Sequence, residues 1–190
     1  MKFNDALKHS IKTLESPAFI EERRTEDPKM VKYFPLLTDI NRHGFLTENS
    51  QAGHRTAGKH YQDGTPYVTS ERAFISGYMT RENATEFIKR MALETDKVAT
   101  YISVCSDSTY LPSALDTPLT VTVKGGATTV ITKQSPSMPE SPDAQQRTQV
   151  KLNKLDPAVM VFCYDTHWNR NAIGAHGLFT EVLKILKDIQ

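Results

Sequence analysis

The sequence predicts a single α+β domain, with one mixed sheet of about five or six strands and helices packed on it. Three observations predict it. Apolar residues recur at helical spacing near both ends of the chain, in "FNDALKHSIKTL" and "HGLFTEVLKILKDI". Between them, "AFISGYMT", "KVATYISVC" and "AVMVFCYDT" have the alternation or the unbroken apolar character of strands. The best-defined unit, Arg72 to Cys105, runs strand–helix–strand, the order of a βαβ crossover.

Taken in chain order, residues 1–16 make an N-terminal amphipathic helix. Phe3, Ala6, Leu7, Ile11 and Leu14 share one side, Lys8, Lys12 and Glu15 the other, and Pro17 marks the end. Such a helix can pack on the domain's own core or serve as an arm that docks on a protein partner. Ser16 to Lys32, charged and broken by Pro17 and Pro28, reads as a connection with a helical turn. The α+β domain proper is expected over 33–190. Phe34, Leu37 and Ile40 form the stripe of a short helix, with Pro35 in its first turn and Gly44 as a left-handed cap. Phe45 and Leu46 return to the core. Ser50 to Gly64 is polar, contains Gly53, Gly58 and Gly64, and reads as a long loop. In the next strand Ala73, Ile75, Gly77 and Met79 face one way and Phe74, Ser76 and Tyr78 the other; Gly77 suggests a bulge or a close neighbour. Thr80 or Asn83 caps a helix whose buried stripe is Ala84, Phe87, Ile88 and Met91. Gly125-Gly126 is the turn of a hairpin. The run "SPSMPESPDAQQRTQ", 135–149, is too rich in proline, serine and acid to pack, and is expected to be a mobile loop. Leu178, Phe179, Val182, Leu186 and Ile189 give the last helix a broad apolar face.

The chain has 190 residues, enough to bury a core without staples. Its 23 basic and 22 acidic residues leave a net charge of +1, which gives no long-range pull toward nucleic acid or anionic membranes. No stretch is apolar enough to span a bilayer, and the start lacks a signal peptide's apolar run. Cys105 and Cys163, both in apolar runs, suit buried free thiols of a reducing compartment. The expected location is therefore cytoplasmic.

The candidate chemistry is sparse. Cys163 and His167 share a strand face but stand too far apart for one ion at about 3.3 Å per residue, so no metal is expected, and with neither a Walker loop nor a GxGxxG no cofactor is expected. Cys105 at one strand end and His167 at another form a dyad if those ends are neighbours. Trp168, in "DTHWNRN", can stack on a planar ligand. The densest supply of hydrogen-bonding side chains follows Gly44: Thr47, Ser50, Gln51, His54 and Arg55. Such a set can line a polar pocket, or simply bond its own backbone in a turn. Arg72 opens an apolar run and needs an anion or an internal partner.

"INRHGFLTENSQAG" followed by "ERAFISGYM" resembles a poorly characterised family of bacterial and viral proteins, a domain of unknown function with a pattern like L/I-N-x-x-G-F-x-T-x-x-S-Q-P-G and then R-A-x-x-x-G-F/Y. Ala52 stands where that pattern has proline. The resemblance implies that Gly44, Phe45, Thr47, Ser50, Gln51, Gly53, Arg72 and Gly77 belong to one recurring unit. It implies no activity, and a virion-associated location only if the protein is viral. The expectation is a domain that binds a small polar or anionic ligand at the loop following Gly44, through Thr47, Ser50, Gln51, His54, Arg55, Arg72, His167 and Trp168. An interaction protein docking through its first helix, and an enzyme using Cys105 or His167, stay open beside it.

Overall fold

The computed structural model describes residues 2–26, 28–60, 62–102, 117–134, 155 and 158–189. Cys105 and the stretch 135–149, expected to be a mobile loop, lie outside them. Among the described residues there are six helices: α1 (Phe3–Leu14), α2 (Pro17–Glu26), α3 (Pro28–Val31), α4 (Phe34–Arg42), α5 (Arg81–Glu94) and α6 (Leu178–Asp188). Eight strands accompany them: β1 (Leu46–Ala52), β2 (Arg55–Lys59), β3 (Pro66–Glu71), β4 (Ala73–Thr80), β5 (Lys97–Ile102), β6 (Thr117–Lys124), β7 (Ala127–Gln134) and β8 (Ala158–Asp165).

The α+β class holds, but the strands form two four-stranded sheets rather than one mixed sheet. One has the order β1-β4-β8-β5 and the other β2-β3-β6-β7. Every pairing among the described residues is antiparallel. The crossover β4–α5–β5 does join two parallel strands, but β8 lies between them and pairs with both. No neighbour relation in the sequence reveals a strand inserted from some sixty residues downstream.

Alternation along β4 sorts its side chains as expected. Ala73, Ile75 and Met79 join Val159, Val161 and Cys163 of β8 beneath α4, α5 and α6, where Leu37, Ile40, Phe87, Met91, Phe179 and Val182 meet them. Each of the larger apolar side chains contributes about 1.5–3 kcal/mol by burial. On the opposite face, Tyr78 packs with Phe3 and Ala6 of α1 and with Leu155 and Ala158. Further along that face, Phe74 and Phe162 meet Leu119 of the second sheet. The layers are thus helices, first sheet, then second sheet beside α1.

The largest departure from expectation is Ser50 to Gly64. It is not a loop. β1 runs through Ala52 and pairs with β4, and β2 then pairs with β3. β1–β2 and β3–β4 are one long two-stranded ribbon, bent at Gly53 and Arg72, whose halves belong to different sheets. Ser16 to Lys32, read as a connection, is mostly helical. α2 buries none of its residues fully, so no clean stripe marks it, although Phe19 and Ile20 pack partly against the core. Gly77 does have a close neighbour. A Cβ there would lie 2.0 Å from Leu46 O, opposite the register shift between Thr47 and Asn49 in β1.

Candidate functional site

Where the ribbon bends, the segment "DTHWNRN" closes over it. Asn169 donates its backbone N–H to Glu71 O at 2.8 Å and accepts from Glu71 N at 3.2 Å through Oδ1. Ala172 N donates to Ala52 O at 2.9 Å. Inside this clamp the Arg72 guanidinium lies 4.4 Å from the centre of the Trp168 ring and donates through Nη1 to Thr166 O at 2.7 Å. Gln51 Nε2 donates to Arg72 O at 2.9 Å, and the Gln51 amide also meets Thr120 of the second sheet. Gln51, Arg72 and Trp168 are therefore brought together, and the polar contacts described for them are internal. These bonds hold the bend that passes the chain between sheets.

The other expected site residues have partners of their own. His54 sits beside the bend, its Nδ1 2.5 Å from Glu71 Oε2 and its Nε2 2.8 Å from Lys29 Nζ. Arg55 is exposed on β2, opposite Ser70. His167 follows the end of β8 in the same segment, next to Trp168, and sits in a charged network. Its Nδ1 is 3.2 Å from Asp96 Oδ2 and 3.6 Å from Asp165 Oδ1. Arg170 donates to both oxygens of Asp96, at 3.0 and 2.8 Å, and holds that carboxyl well below the usual carboxylate range. Lys97, whose side chain is buried, also bonds Asp96. Asp165 is fully buried, with Lys97 Nζ at 3.8 Å and Arg170 Nε at 3.6 Å. These charges neutralise one another at the sheet's end. Cys163 faces the core, where burial pushes its thiol well above the ordinary range and removes it as a nucleophile. Among the described residues no group of three or more His, Cys, Asp or Glu is placed to hold a metal ion.

Thr47 and Ser50 have a different setting. Both line a cavity of about 660 Å³ that runs along β1 between α1, α2 and α4. Its apolar walls are Ala6, Leu14, Phe19, Met30, Phe34, Leu37, Leu46 and Leu155. Its polar groups come from four consecutive residues of β1, Thr47 to Ser50, from His9, Ser10 and Thr13 on α1 and from Arg23 on α2, and Tyr78 of β4 also lines it. The spacing of α1 sets Ala6, Ser10, Thr13 and Leu14 on the side that looks across the cavity. Glu15, the C-cap of α1, pairs with Arg42 of α4 and fastens the two helices together.

The edge of β1 is not left bare. Thr47 N donates to Asn41 Oδ1 at 3.1 Å, and Ser50 N donates to Asn49 Oδ1 at 2.9 Å. Asn41, itself fully buried on α4, also donates to Thr47 Oγ1 at 2.7 Å. These side chains occupy amides that an added strand would need.

Tyr78 is the wall residue that inspection of the sequence missed. In an apolar strand a tyrosine reads as core, and it is indeed 2% exposed. Its hydroxyl has no hydrogen-bond partner among the described residues, and burial pushes its pKa up to about 12. The signal available in the sequence was chemical rather than periodic: a buried tyrosine hydroxyl ordinarily finds a partner.

Comparison with known proteins adds a family and no activity. No curated protein matches the chain. No helix among the described residues is long and apolar enough to cross a membrane. A family model does match residues 13–189, from the end of α1 to the end of α6, taking in both sheets and the bent ribbon. The chain therefore belongs to the family described as Domain of unknown function (DUF6919).

Proposed function

We propose that this domain binds a small amphipathic molecule in the cavity beside β1. The observation that carries the reading is the cavity itself. Its volume of about 660 Å³ falls within the roughly 300–1,000 Å³ typical of small-ligand sites. Its walls combine apolar side chains with a few polar groups, the pattern that holds a ligand by burial and orients it by hydrogen bonds. Thr47 and Ser50, two of the residues expected from the sequence to touch a ligand, stand in that wall. The apolar lining favours a ligand with an apolar body over a wholly polar one. The occupied amides of Thr47 and Ser50 favour a small molecule over an extended peptide joining the sheet.

Ser10 and Thr13 are half-buried on α1 and line the cavity, so enlarging either obstructs it without replacing a core side chain. An environment-sensitive naphthalene dye titrated into the parent protein should bind saturably and be displaced by members of a panel of small amphipathic molecules. Thr13→Trp, with its melting temperature unchanged, should lose that binding. Dye affinity that survives Thr13→Trp and Ser10→Trp alike, or a parent protein that binds neither dye nor panel, refutes the reading.

A further inference from the structure

Given the cavity beside β1 as the binding site, we propose that α1 is its lid. The helix pivots at Glu15–Ser16 and lifts its N-terminal part from the first sheet, and this opening sets the rate at which a ligand enters.

The placement of α1 supports such a motion. Ala6, His9 and Ser10 line the cavity and travel with the lid, while Thr13 and Leu14 lie next to the pivot. The pivot is built into the chain. Pro17, which has no N–H to carry the helical ladder onward, opens α2 and separates it from α1. At that end Glu15 is held by Arg42 of α4. The other end is lightly held. Lys2, the N-cap, makes no side-chain cap bond. Of the twelve residues of α1 only Phe3 and Ala6 are fully buried, whereas α4 buries five of nine and α6 six of eleven. α2 also buries none of its residues fully, but the chain holds it at both ends and Phe19 stacks on Phe34, with ring centroids 5.6 Å apart. The seat of α1 has a flaw as well. Phe3 and Ala6 pack with Tyr78, Leu155 and Ala158, and in that cluster the Tyr78 hydroxyl is buried with no hydrogen-bond partner among the described residues. A buried hydroxyl left unpaired opposes the closed state, and lifting Phe3 and Ala6 opens the cluster to water that can serve it. All of α1 but its last two residues also lies outside the family match.

Hydrogen exchange read by mass spectrometry on the full chain follows the motion, and stopped-flow binding of the naphthalene dye follows entry. Amides of α1 should exchange at least about tenfold faster than those of α4 and α6, and bound dye should slow them. Tyr78→Phe removes the unpaired hydroxyl. It should slow α1 exchange by about fivefold or more and slow dye entry with it. Phe3 does not line the cavity, so Phe3→Ala loosens the seat without changing the wall and should speed both. Exchange of α1 in the parent no faster than that of α4 overturns the lid, whether or not either variant folds. So does a rate of dye entry that is the same in parent, Tyr78→Phe and Phe3→Ala; the cavity then stands as a site on the loss of dye binding in Thr13→Trp. A parent that binds no dye overturns the cavity and the lid together.

Discussion

Gly53→Ala should destabilise the protein by about 2–4 kcal/mol, and the comparison with Gly64→Ala isolates why. Both glycines have positive φ, +70° and +68°. An alanine at either pays about 1–2 kcal/mol for the left-handed conformation and recovers about 0.4–1 kcal/mol through a stiffer unfolded chain. Gly64 has nothing within 4 Å of the added methyl, so its net cost should stay near 1 kcal/mol. At Gly53 the methyl would lie 2.7 Å from Ala73 N and 2.7 Å from Arg170 O. Both are backbone atoms, one in β4 and one in the clamp, and neither can swing aside as a flexible side chain would. Relieving the overlap moves one strand of the ribbon away from the other at the bend. Overpacking of this kind adds about 1–3 kcal/mol. Urea unfolding at equilibrium reads the difference directly, provided the denaturant slopes agree. If Gly53→Ala and Gly64→Ala fall within about 0.5 kcal/mol of each other, the bend is not tightly packed and the clamp does not hold it.

Two further outcomes are expected. Phe87→Ala should cost about 3–5 kcal/mol, because Phe87 is fully buried and meets the Phe45 ring edge-on with centroids 6.0 Å apart; a loss below about 1 kcal/mol would place its helix face outside the core. Asp96→Asn should flatten the acid limb of the stability curve. The folded protein holds the Asp96 carboxyl below its unfolded value, chiefly through its bonds to Arg170, so its contribution is complete above about pH 4 and lost as pH falls below that; urea midpoints measured down to about pH 2 that decline equally in variant and parent would contradict it.

Legibility followed the range of the forces involved. The faces of β4, the buried stripe of α5 and the turn at Gly125-Gly126 depend on neighbours within a few residues, and each was readable. Both hairpin glycines indeed have positive φ, and the helix cap is Thr80, whose Oγ1 accepts from Asn83 N. The ribbon was not readable because β1 and β2 are polar and half-exposed, so hydrophobic alternation is absent where backbone pairing is present. The site was only partly readable. Thr47 and Ser50 attracted attention as hydrogen bonders, but the walls opposite them come from Ser10, Arg23 and Leu155, which no local pattern associates with β1. Arg72 and Trp168 carried the chemistry of a ligand contact, and only three-dimensional placement reveals that backbone carbonyls and one another satisfy much of it.

The position of β8 between β4 and β5 bears on the order in which the protein can be made. β5 has no described strand partner except β8, and β4 has β1 on one side only until β8 pairs with the other. A growing chain therefore emerges with two unpaired strand edges waiting for a segment synthesised later, Ala158–Asp165. Until that segment leaves the ribosome, the first sheet has an open centre that any exposed strand could fill, and the nascent chain is most exposed to aggregation during that interval. The ribbon and hairpin of the second sheet can pair beforehand. In pulse-labelled refolding, amides of β5 should gain protection together with those of β8, and later than those of β2 and β3; protection of β5 ahead of β8 would contradict this order.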